Sequence, residues 1–253
     1  FVYCKEIIMD EGKLLNNKKL TEGTNYKVLI FFKYNSLMKA IIFDLDGTLI
    51  DSLTDIALSM NDVLKEFGLE PHPIDSYNKF VGDGALVLVQ NALDKNSSEE
   101  LVKKVLKRFI EVYDLGVHYN TKPYEGIYEL LNKIEALDIK LAVLSNKPHM
   151  FTCKYVEDLF ANNKFLEVHG QKEGVPKKPN PQGAIHIAKA LNLKSDDIIY
   201  VGDTSTDIKT AKAAGMKSIG VLWGFRDEEE LREAGADYIV STPNQIIEIL
   251  KRD

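Results

Sequence analysis

The stretch Ala40-Ile41-Ile42-Phe43-Asp44-Leu45-Asp46-Gly47-Thr48 decides the fold and points to a site. Its first four residues form a short apolar run that gives way to polar residues and glycine, a pattern typical of a buried parallel strand. Asp44 and Asp46 are two residues apart, so on an extended chain they project to the same side. Such carboxylates repel each other unless a cation or a proton lies between them, and a hard divalent metal meets that need. The same residues also suit a plain turn at a strand end, so this stretch alone leaves both interpretations open.

Apolar runs of the same kind recur further along the chain and alternate with helical patterns. Strands are predicted at 139–144, 197–201 and 218–222, with a weaker one at 238–240. Helices are predicted at 128–137, 150–160, 181–191, 206–214 and 228–234, and Thr242-Pro243-Asn244-Gln245 begins a last helix with a capping box. The alternation predicts an α/β fold, with a Rossmann-like parallel sheet covered by helices on both faces.

Residues 53–122 interrupt this alternation because they carry only helical patterns. One helix is predicted from Leu53 to Phe67 with Gly68 as its C-cap, and a capping box of Ser97 and Glu100 precedes another. We therefore expect an all-helical cap domain at 53–122, inserted after the first strand, and a core formed by 38–52 and 123–253. Such an insert would lie over the carboxyl ends of the strands, where open α/β sheets bind ligands.

The composition argues against several classes of protein. The 253 residues have a net charge of −6 and only four arginines, so nothing favours nucleic-acid binding. Two cysteines are too few for a disulfide framework, and no N-terminal apolar run approaches the roughly 20 residues of a membrane span. We expect a cytoplasmic protein with no membrane partner. Residues 1–37 show weak periodicity and Met38 resembles a natural start, so they are interpreted as an N-terminal extension whose origin the sequence leaves open.

Polar residues follow the other predicted strands at the same edge of the sheet. Gly202-Asp203-Thr204-Ser205-Thr206-Asp207 places two carboxylates four residues apart at a strand-to-helix turn, although Asp207 also suits a helix N-terminus. Ser145 and Asn146 offer a hydroxyl and free backbone N–H groups to a phosphate oxygen, or else simply cap a helix. Lys177-Lys178 places two ammonium groups before a further helix. With Asp44 and Asp46, the carboxylates point to a shared metal site.

Taken in chain order, these motifs resemble the four motifs of the haloacid dehalogenase-like superfamily. They are Asp44-x-Asp46-Gly-Thr, Ser145, Lys178-Pro and Gly202-Asp203-x-x-x-Asp207. The resemblance covers roughly residues 38–253, and the helical insert resembles the type 1 cap of that superfamily. Three further stretches resemble phosphoglycolate phosphatases and their near relatives: Phe80-Val81-Gly82-Asp83-Gly84-Ala85, Pro123-Tyr124-Glu125-Gly126 and Val221-Leu222-Trp223-Gly224-Phe225.

The resemblance implies a magnesium-dependent phosphoric monoester hydrolase that works through an aspartyl-phosphate. Asp44 would be the nucleophile, and Asp46 the general acid that later serves as base. Mg²⁺ would be bound by the Asp44 carboxylate, the Asp46 backbone carbonyl and Asp203. The phosphate would be held by Lys178, which also takes part in catalysis, and by Ser145 and Asn146, with Asp207 and Thr48 in supporting roles.

The same resemblance implies a small phosphorylated metabolite as substrate, 2-phosphoglycolate first, and a monomer or homodimer. An inorganic pyrophosphatase, a 5′-nucleotidase and a sugar phosphomutase of the same superfamily stay open, as does a catalytically silent binding module. Asp46 favours phosphoryl transfer over dehalogenation, because a dehalogenase has no alkoxide to protonate. In the cap, Gly82-Asp83-Gly84 could present backbone N–H groups to a substrate carboxylate, with Lys79 or Arg108 as positive partners, or could form a turn.

Overall fold

A six-stranded parallel sheet organises the described part of the chain, which is residues 38–116 and 119–251 of a computed structural model. Its strands are β1 (Ala40–Phe43), β4 (Lys140–Pro148), β5 (Phe165–Gln171), β6 (Ile198–Gly202), β7 (Lys217–Val221) and β8 (Tyr238–Val240). They stand in the order β5-β4-β1-β6-β7-β8, and every neighbouring pair is parallel. The predicted N-terminal extension, 1–37, lies outside the described residues.

Helices cover both faces of this sheet. In the core they are α5 (Ile127–Ala136), α6 (His149–Leu159), α7 (Gln182–Ala190), α8 (Ser205–Ala213), α9 (Glu228–Ala234) and α10 (Pro243–Leu250). Alternate residues of β1 point to opposite faces. Ile41 and Phe43 pack in a cluster with side chains of α5 and α10, whereas Ala40 and Ile42 pack in a second cluster with side chains of α7 and α8. Burial on both faces explains why β1 is apolar throughout, and the predicted parallel sheet with helices on both faces is confirmed.

The helical insert leaves the core between two short strands, β2 (Ile50–Asp51) and β3 (Lys122–Pro123), which pair antiparallel. It contains α1 (Leu53–Glu66), α2 (Tyr77–Phe80), α3 (Ala85–Ala92) and α4 (Glu99–Leu115), with a 3₁₀ turn at Ile74–Ser76. These helices bury an apolar cluster largely of their own, contributed by residues from Ile56 to Tyr113, with Phe151 and Phe225 of the core packed against it. This arrangement is the one expected of a helical cap, and the boundaries 53 and 122 stay a prediction.

Asp55, in the first turn of α1, ties the two connections between insert and core together. Its carboxylate, 3% exposed, accepts hydrogen bonds from the backbone N–H groups of Asn120 and Thr121 and from both of their side chains, at 2.5–3.1 Å. Burial alone would raise the pKa of Asp55, but the hydrogen bonds from Thr121 and Asn120 outweigh it and hold that pKa below its usual value. The outgoing and returning segments are therefore joined by one charged side chain.

Two details differ from the sequence expectations. Strand β5 was not predicted, because Phe165–Gln171 is an edge strand that is only partly buried and carries no continuous apolar run. The N-cap of α4 is Ser98 and not Ser97: the Ser98 hydroxyl accepts the Leu101 N–H at 3.2 Å. The capping box predicted with Ser97 and Glu100 is therefore wrong by one residue. The box at Thr242 and Gln245 is confirmed.

Among the described residues, no helix combines the length and apolar character that a membrane crossing requires.

Candidate active site

The site is formed where the central strands of the sheet end. Asp44 directly follows β1, the strand between β4 and β6, and its backbone N–H donates to the Val201 carbonyl of β6 at 2.9 Å. Asp203 follows β6, and Asp207 lies one turn into α8. Parallel strands end at one edge of a sheet, so Asp44 and Asp203, 159 positions apart in the chain, meet there, as the sequence predicts.

Three buried carboxylates form an acidic cluster. Asp44, Asp203 and Asp207 each place a carboxylate oxygen within 4.8 Å of the others. Asp203 is held by two hydrogen bonds, from the Thr48 hydroxyl at 3.0 Å and from the Phe225 N–H at 2.8 Å. Gly47, with a φ of +83°, lies against the Asp203 carboxylate so closely that a Cβ at this position would collide with it. The tight loop after β1 and the loop after β6 therefore pack directly against each other at the Asp203 carboxylate.

Lys178 is the buried cation beside this cluster. Its ammonium group lies 2.9 Å from Asp44 Oδ1 and 2.6 Å from Asp207 Oδ1. The second Asp207 oxygen accepts from the N–H and the hydroxyl of Thr204, at 3.1 and 2.8 Å. The start of α8 therefore holds the Asp207 carboxylate, and this carboxylate positions the Lys178 ammonium. Asp207, for which a supporting role is expected, therefore holds the Lys178 ammonium in place.

Burial and neighbouring charges both shift the pKa values of these groups. Burial raises the pKa of Asp44 to about 7, although Lys178 opposes this shift. Burial and the charges of Asp207 and Asp44 raise the pKa of Asp203 well above its usual value. Burial alone would lower the pKa of Lys178. The charges of Asp207 and Asp44 outweigh burial and hold this pKa well above its usual value. The ammonium is therefore permanently charged, while the carboxylates require more positive charge than it supplies.

The donor set fits a divalent cation. Asp44, Asp46, Asp203 and Asp207 supply four carboxylates, whereas Lys147 and Lys178 supply two ammonium groups, so the fully ionised site carries an excess of two negative charges. Carboxylate oxygens are the ligands that hard divalent ions prefer, and buried carboxylates without a cation are costly. A doubly charged ion at the acidic cluster would balance the site.

Asp46 lies on the same loop as Asp44 but has different partners. Its carboxylate accepts from the Ser52 hydroxyl at 2.5 Å and from the Lys147 ammonium at 3.0 and 3.2 Å. The side chain is 11% exposed. Asp44 thus faces the acidic cluster and Lys178, while Asp46 faces Lys147, so the two neighbouring carboxylates have separate environments suited to separate tasks.

Lys147 is a site residue that sequence reasoning missed. It ends the same strand segment as Ser145, its side chain is 3% exposed, and its ammonium lies 2.8 Å from the Tyr113 hydroxyl of α4 as well as beside Asp46. The only available signal was its place directly after Ser145-Asn146, since a lysine before a helix normally lies in solvent. Its burial depends on α4, which comes from a part of the chain remote in sequence.

Ser145 and Asn146 lie at the end of β4, where the sequence places them, and both are buried. The Ser145 hydroxyl accepts the Lys147 N–H at 3.3 Å. The Asn146 amide accepts the Lys178 N–H at 2.9 Å and donates to the carbonyls of Lys178 and Gly82 at 3.2 Å. Asn146 therefore positions Lys178 and contacts the insert, and its predicted role in phosphate binding stays a prediction.

The predicted substrate loop of the insert, Gly82-Asp83-Gly84, is held against the core mainly through its carbonyl groups. Asn146 donates to the Gly82 carbonyl, and the Lys177 ammonium donates to the Asp83 carbonyl at 2.5 Å. Thr206 donates to the Asp83 carboxylate at 2.8 Å, and Arg226 donates to the carbonyls of Asn78 and Val81. Gly82 and Gly84 line the cavity above Asp44. Binding of a substrate carboxylate by this loop stays a prediction.

A cavity of about 50 Å³ lies between the core site and the insert. Asp44, Asp46 and Lys147 are the charged residues that line it, and its insert side is largely apolar, formed by residues that include Leu88, Phe109 and Ile110. Phe109 and Tyr113 belong to the apolar cluster of the insert and also line the cavity. Arg108 was expected as a possible positive partner of the substrate. It instead forms ion pairs with Glu66 and Glu111 on the exposed face of the insert. Lys79 is exposed.

Comparison with known proteins gives a consistent result. The family model for haloacid dehalogenase-like hydrolases matches residues 41–221, which includes both connections of the helical insert and the acidic cluster. A phosphoglycolate phosphatase of Colwellia psychrerythraea is 32% identical over 220 residues, covering 85% of this chain and 97% of the relative. A phosphoglycolate phosphatase of Aquifex aeolicus is 34% identical over 216 residues, covering 84% and 97%.

Solved structures show the same architecture. The crystal structure of a predicted phosphoglycolate phosphatase from Haemophilus somnus has a TM-score of 0.79 at 28% identity and covers 85% of this chain and 99% of its own. The crystal structure of a predicted phosphatase from Clostridium acetobutylicum has a TM-score of 0.77 at 30% identity and covers 86% and 100%. Sheet, helices and insert thus recur together in these relatives.

Proposed function

The chain belongs to the haloacid dehalogenase-like hydrolases and acts on phosphate monoesters, and we propose that it is a Mg²⁺-dependent phosphatase converting 2-phosphoglycolate to glycolate and inorganic phosphate. One observation carries the proposal: Asp44 and Asp46 line one cavity but have separate partners, Asp44 with Lys178 and the acidic cluster, Asp46 with Lys147. A nucleophile and a separate proton carrier are what stepwise hydrolysis of a phosphate ester requires.

In the first step, an Asp44 carboxylate oxygen attacks phosphorus. A bond forms between that oxygen and phosphorus, the bond from phosphorus to the ester oxygen breaks, and Asp46 gives its proton to the leaving alkoxide. In the second step, Asp46 takes a proton from a water molecule whose oxygen attacks the same phosphorus. The Asp44–phosphorus bond then breaks, and inorganic phosphate and the free carboxylate are regenerated.

The remaining residues handle charge. Asp44 and Asp203, with the Asp46 backbone carbonyl, would hold Mg²⁺, which neutralises negative charge so that an anionic nucleophile can approach an anionic phosphate. Lys178 adds a fixed ammonium beside Asp44, kept in place by Asp207 and by the Asn146 amide. Ser145, buried at the end of β4, would donate to a non-bridging phosphate oxygen.

Two observations support a small substrate and the choice of 2-phosphoglycolate. A water needs about 10–15 Å³ of a cavity, so a cavity of about 50 Å³ has room for only about three to five water-sized groups, which favours a small substrate. The curated relatives quoted above bear the name phosphoglycolate phosphatase. Larger phosphates would have to displace the insert, whose loop at Gly82 is hydrogen-bonded to the core.

The test is phosphate release from 2-phosphoglycolate, pyrophosphate, nucleoside 5′-monophosphates and hexose phosphates, with Mg²⁺ and with excess chelator. We expect kcat/KM for 2-phosphoglycolate at least about tenfold above that of every other substrate, a selectivity of about 1.4 kcal/mol, and no release in chelator. A flat profile, or one led by pyrophosphate, would keep the phosphatase chemistry and discard the substrate. No Mg²⁺-dependent release from any of them would discard the chemistry and favour a mutase or a silent binding module.

A further inference from the structure

Lys147 lies at the boundary between core and insert, with its backbone held rigidly. Its N–H donates to the Ser145 hydroxyl at 3.3 Å, and its carbonyl accepts from the Thr152 hydroxyl at 3.1 Å. The side chain is 3% exposed, although lysine is rarely buried to this extent. Removing a charge from solvent costs free energy. The buried ammonium group therefore requires partners that compensate for its lost hydration.

The compensation comes from three oxygen atoms and two aromatic rings. An ammonium group has three N–H donors. Among the described residues its polar partners are the two Asp46 carboxylate oxygens, at 3.0 and 3.2 Å, and the Tyr113 hydroxyl, at 2.8 Å. The rings of Tyr113 and Tyr155 lie 4.6 and 4.9 Å from it, close enough for cation–π attraction. Asp46 thus takes two of the three donors, and one of them becomes available to a second anion when an Asp46 oxygen turns to the ester oxygen of the substrate.

The position of Lys147 relative to the reacting atoms is defined by Asp46. In the proposed reaction Asp46 contacts the ester oxygen of the substrate, and the Lys147 ammonium is one hydrogen-bond length beyond Asp46. A group bonded to the carbon next to that ester oxygen therefore reaches the neighbourhood of Lys147. In 2-phosphoglycolate this group is a carboxylate.

Apart from Lys147, the described walls around this point offer a carboxylate no positively charged side chain. Leu88, Phe109 and Ile110 are apolar, and Asp44 and Asp46 repel an anion. Lys147 is the one cation that lines this cavity among residues 38–116 and 119–251. Lys178 is committed to Asp44 and Asp207.

We infer that Lys147 is the substrate-selecting residue, and that its ammonium binds a carboxylate attached to the carbon adjoining the ester oxygen of a small phosphate monoester. The inference rests on the proposed function for the placement of the ester oxygen. It assigns recognition of the substrate acid to the core residue Lys147, with Tyr113 of the insert as its support, and not to Lys79 or Arg108. A phosphate monoester with a neutral alcohol of the same size lacks this contact.

The rival explanation is that Lys147 only positions Asp46. The two explanations predict different effects of replacing Lys147. Loss of a positioning residue lowers kcat/KM for every ester alike, whereas loss of a recognition residue lowers it for the carboxylate-bearing ester alone. The matched pair of substrates is 2-phosphoglycolate and ethyl phosphate, which share the phosphoryl group, the ester oxygen and two carbons and differ in the carboxylate.

The experiment measures kcat and KM for both substrates, with Mg²⁺, in the wild-type protein and in Lys147→Met and Lys147→Gln. Both variants remove the charge at nearly the same length, and glutamine keeps a donor for Asp46 and Tyr113. We expect kcat/KM for 2-phosphoglycolate to fall about 10- to 100-fold more than that for ethyl phosphate, mostly through KM, as for loss of a charged hydrogen bond. Lys154→Met, an exposed lysine on α6, is the control and should change neither substrate.

Equal losses for the two substrates would overturn the inference and leave Lys147 as a positioning residue of Asp46. A wild-type protein that hydrolyses both esters equally well would overturn it too, while leaving the phosphatase chemistry intact.

Binding to Asp44→Asn protein by calorimetry separates this failure from failure of the proposed reaction, because no turnover is needed. There, Lys147→Met should weaken 2-phosphoglycolate about 10- to 100-fold and leave ethyl phosphate within about threefold. Unchanged 2-phosphoglycolate binding would overturn the inference even if the enzyme proved active. Circular dichroism of each variant confirms that it is folded.

Discussion

The two sides of the active-site cavity are made differently. The core side is a charged network of buried groups, in which Lys178 contacts Asp44 and Asp207 at 2.9 and 2.6 Å and Asp203 lies within 4.8 Å of both carboxylates. The insert side is largely apolar, and its polar links to the core include the Lys147–Tyr113 contact, the Thr206–Asp83 hydrogen bond and the carbonyls of residues 78–83. The core side thus presents charged groups at fixed positions, whereas the insert side forms a largely apolar wall of the cavity.

This difference separates chemistry from choice of substrate. The charged network depends only on where the strands of one sheet end, so its geometry is the same for any ester that enters. The wall depends on four helices with an apolar cluster of their own, so its shape can change without disturbing the strands. Substitutions in the charged network should therefore reduce turnover of every substrate, whereas those on the insert side, or at Lys147 where the two sides meet, should change preference or stability.

The strongest test of this separation is Asp44→Asn. An amide is no nucleophile, and it removes one of the three carboxylates of the acidic cluster, so kcat should fall by at least about 10⁴-fold with every phosphate ester. Steady-state phosphate release measures it, and Asp158→Asn, an exposed residue on α6, is the matched control. Retention of more than a few per cent of activity would show that another residue attacks phosphorus.

A smaller effect is expected from the adjacent lysines. Lys178→Met removes the buried ammonium that contacts Asp44 and Asp207, and kcat should fall about 10²- to 10³-fold. The same change at its exposed neighbour, Lys177→Met, removes only a surface hydrogen bond to the Asp83 carbonyl and should cost less than about threefold. Similar losses for the two variants would contradict the assignment of Lys178 to the reaction.

The smallest effect on turnover, and the clearest on stability, is expected at the junction of the two regions. Asp55→Asn replaces the carboxylate that joins the outgoing and returning segments, and loss of its charged hydrogen bonds should lower the free energy of unfolding by about 1–3 kcal/mol. Urea unfolding measures this value. Asp62→Asn, on the same helix but half exposed, should stay within about 0.5 kcal/mol.

The pH dependence of this difference has a definite sign. The folded pKa of Asp55 is held below its usual value of 3.8, so its contribution is fully present above pH 3.8 and is lost as the pH falls through the folded pKa. The stability gap between the wild-type protein and Asp55→Asn should therefore be constant from pH 5 to 7 and narrow below about pH 4. A gap that widens in acid would contradict a charged role for Asp55.

Much of the core could be predicted from sequence because local patterns determine it. Each strand of the sheet interior is apolar on both faces, which makes a continuous run, and polar residues follow at its end. Parallel strands then force Asp44, Ser145 and Asp203 to one edge. Strand β5 escaped prediction since it lies at the edge of the sheet, where partial burial erases the apolar run.

Residues that depend on contacts between core and insert could not be predicted in the same way. Arg108 looked like a possible anion partner, yet its face of α4 turns outward to Glu66 and Glu111. Lys147 carried no prediction, yet its ammonium lies against the rings of Tyr113 and Tyr155. The helical period says which residues share a face, but only the packing of the helix says which face meets the cavity.

The sequence by itself determined the parallel sheet, the place of the helical insert and the convergence of the motif carboxylates at one edge, because apolar periodicity and strand direction are local properties of the chain. Only the tertiary structure decided which cation each carboxylate meets: Lys178 for Asp44 and Lys147 for Asp46. Electrostatic partners depend on distances of a few ångström between segments about 100 residues or more apart, and no local pattern encodes those distances.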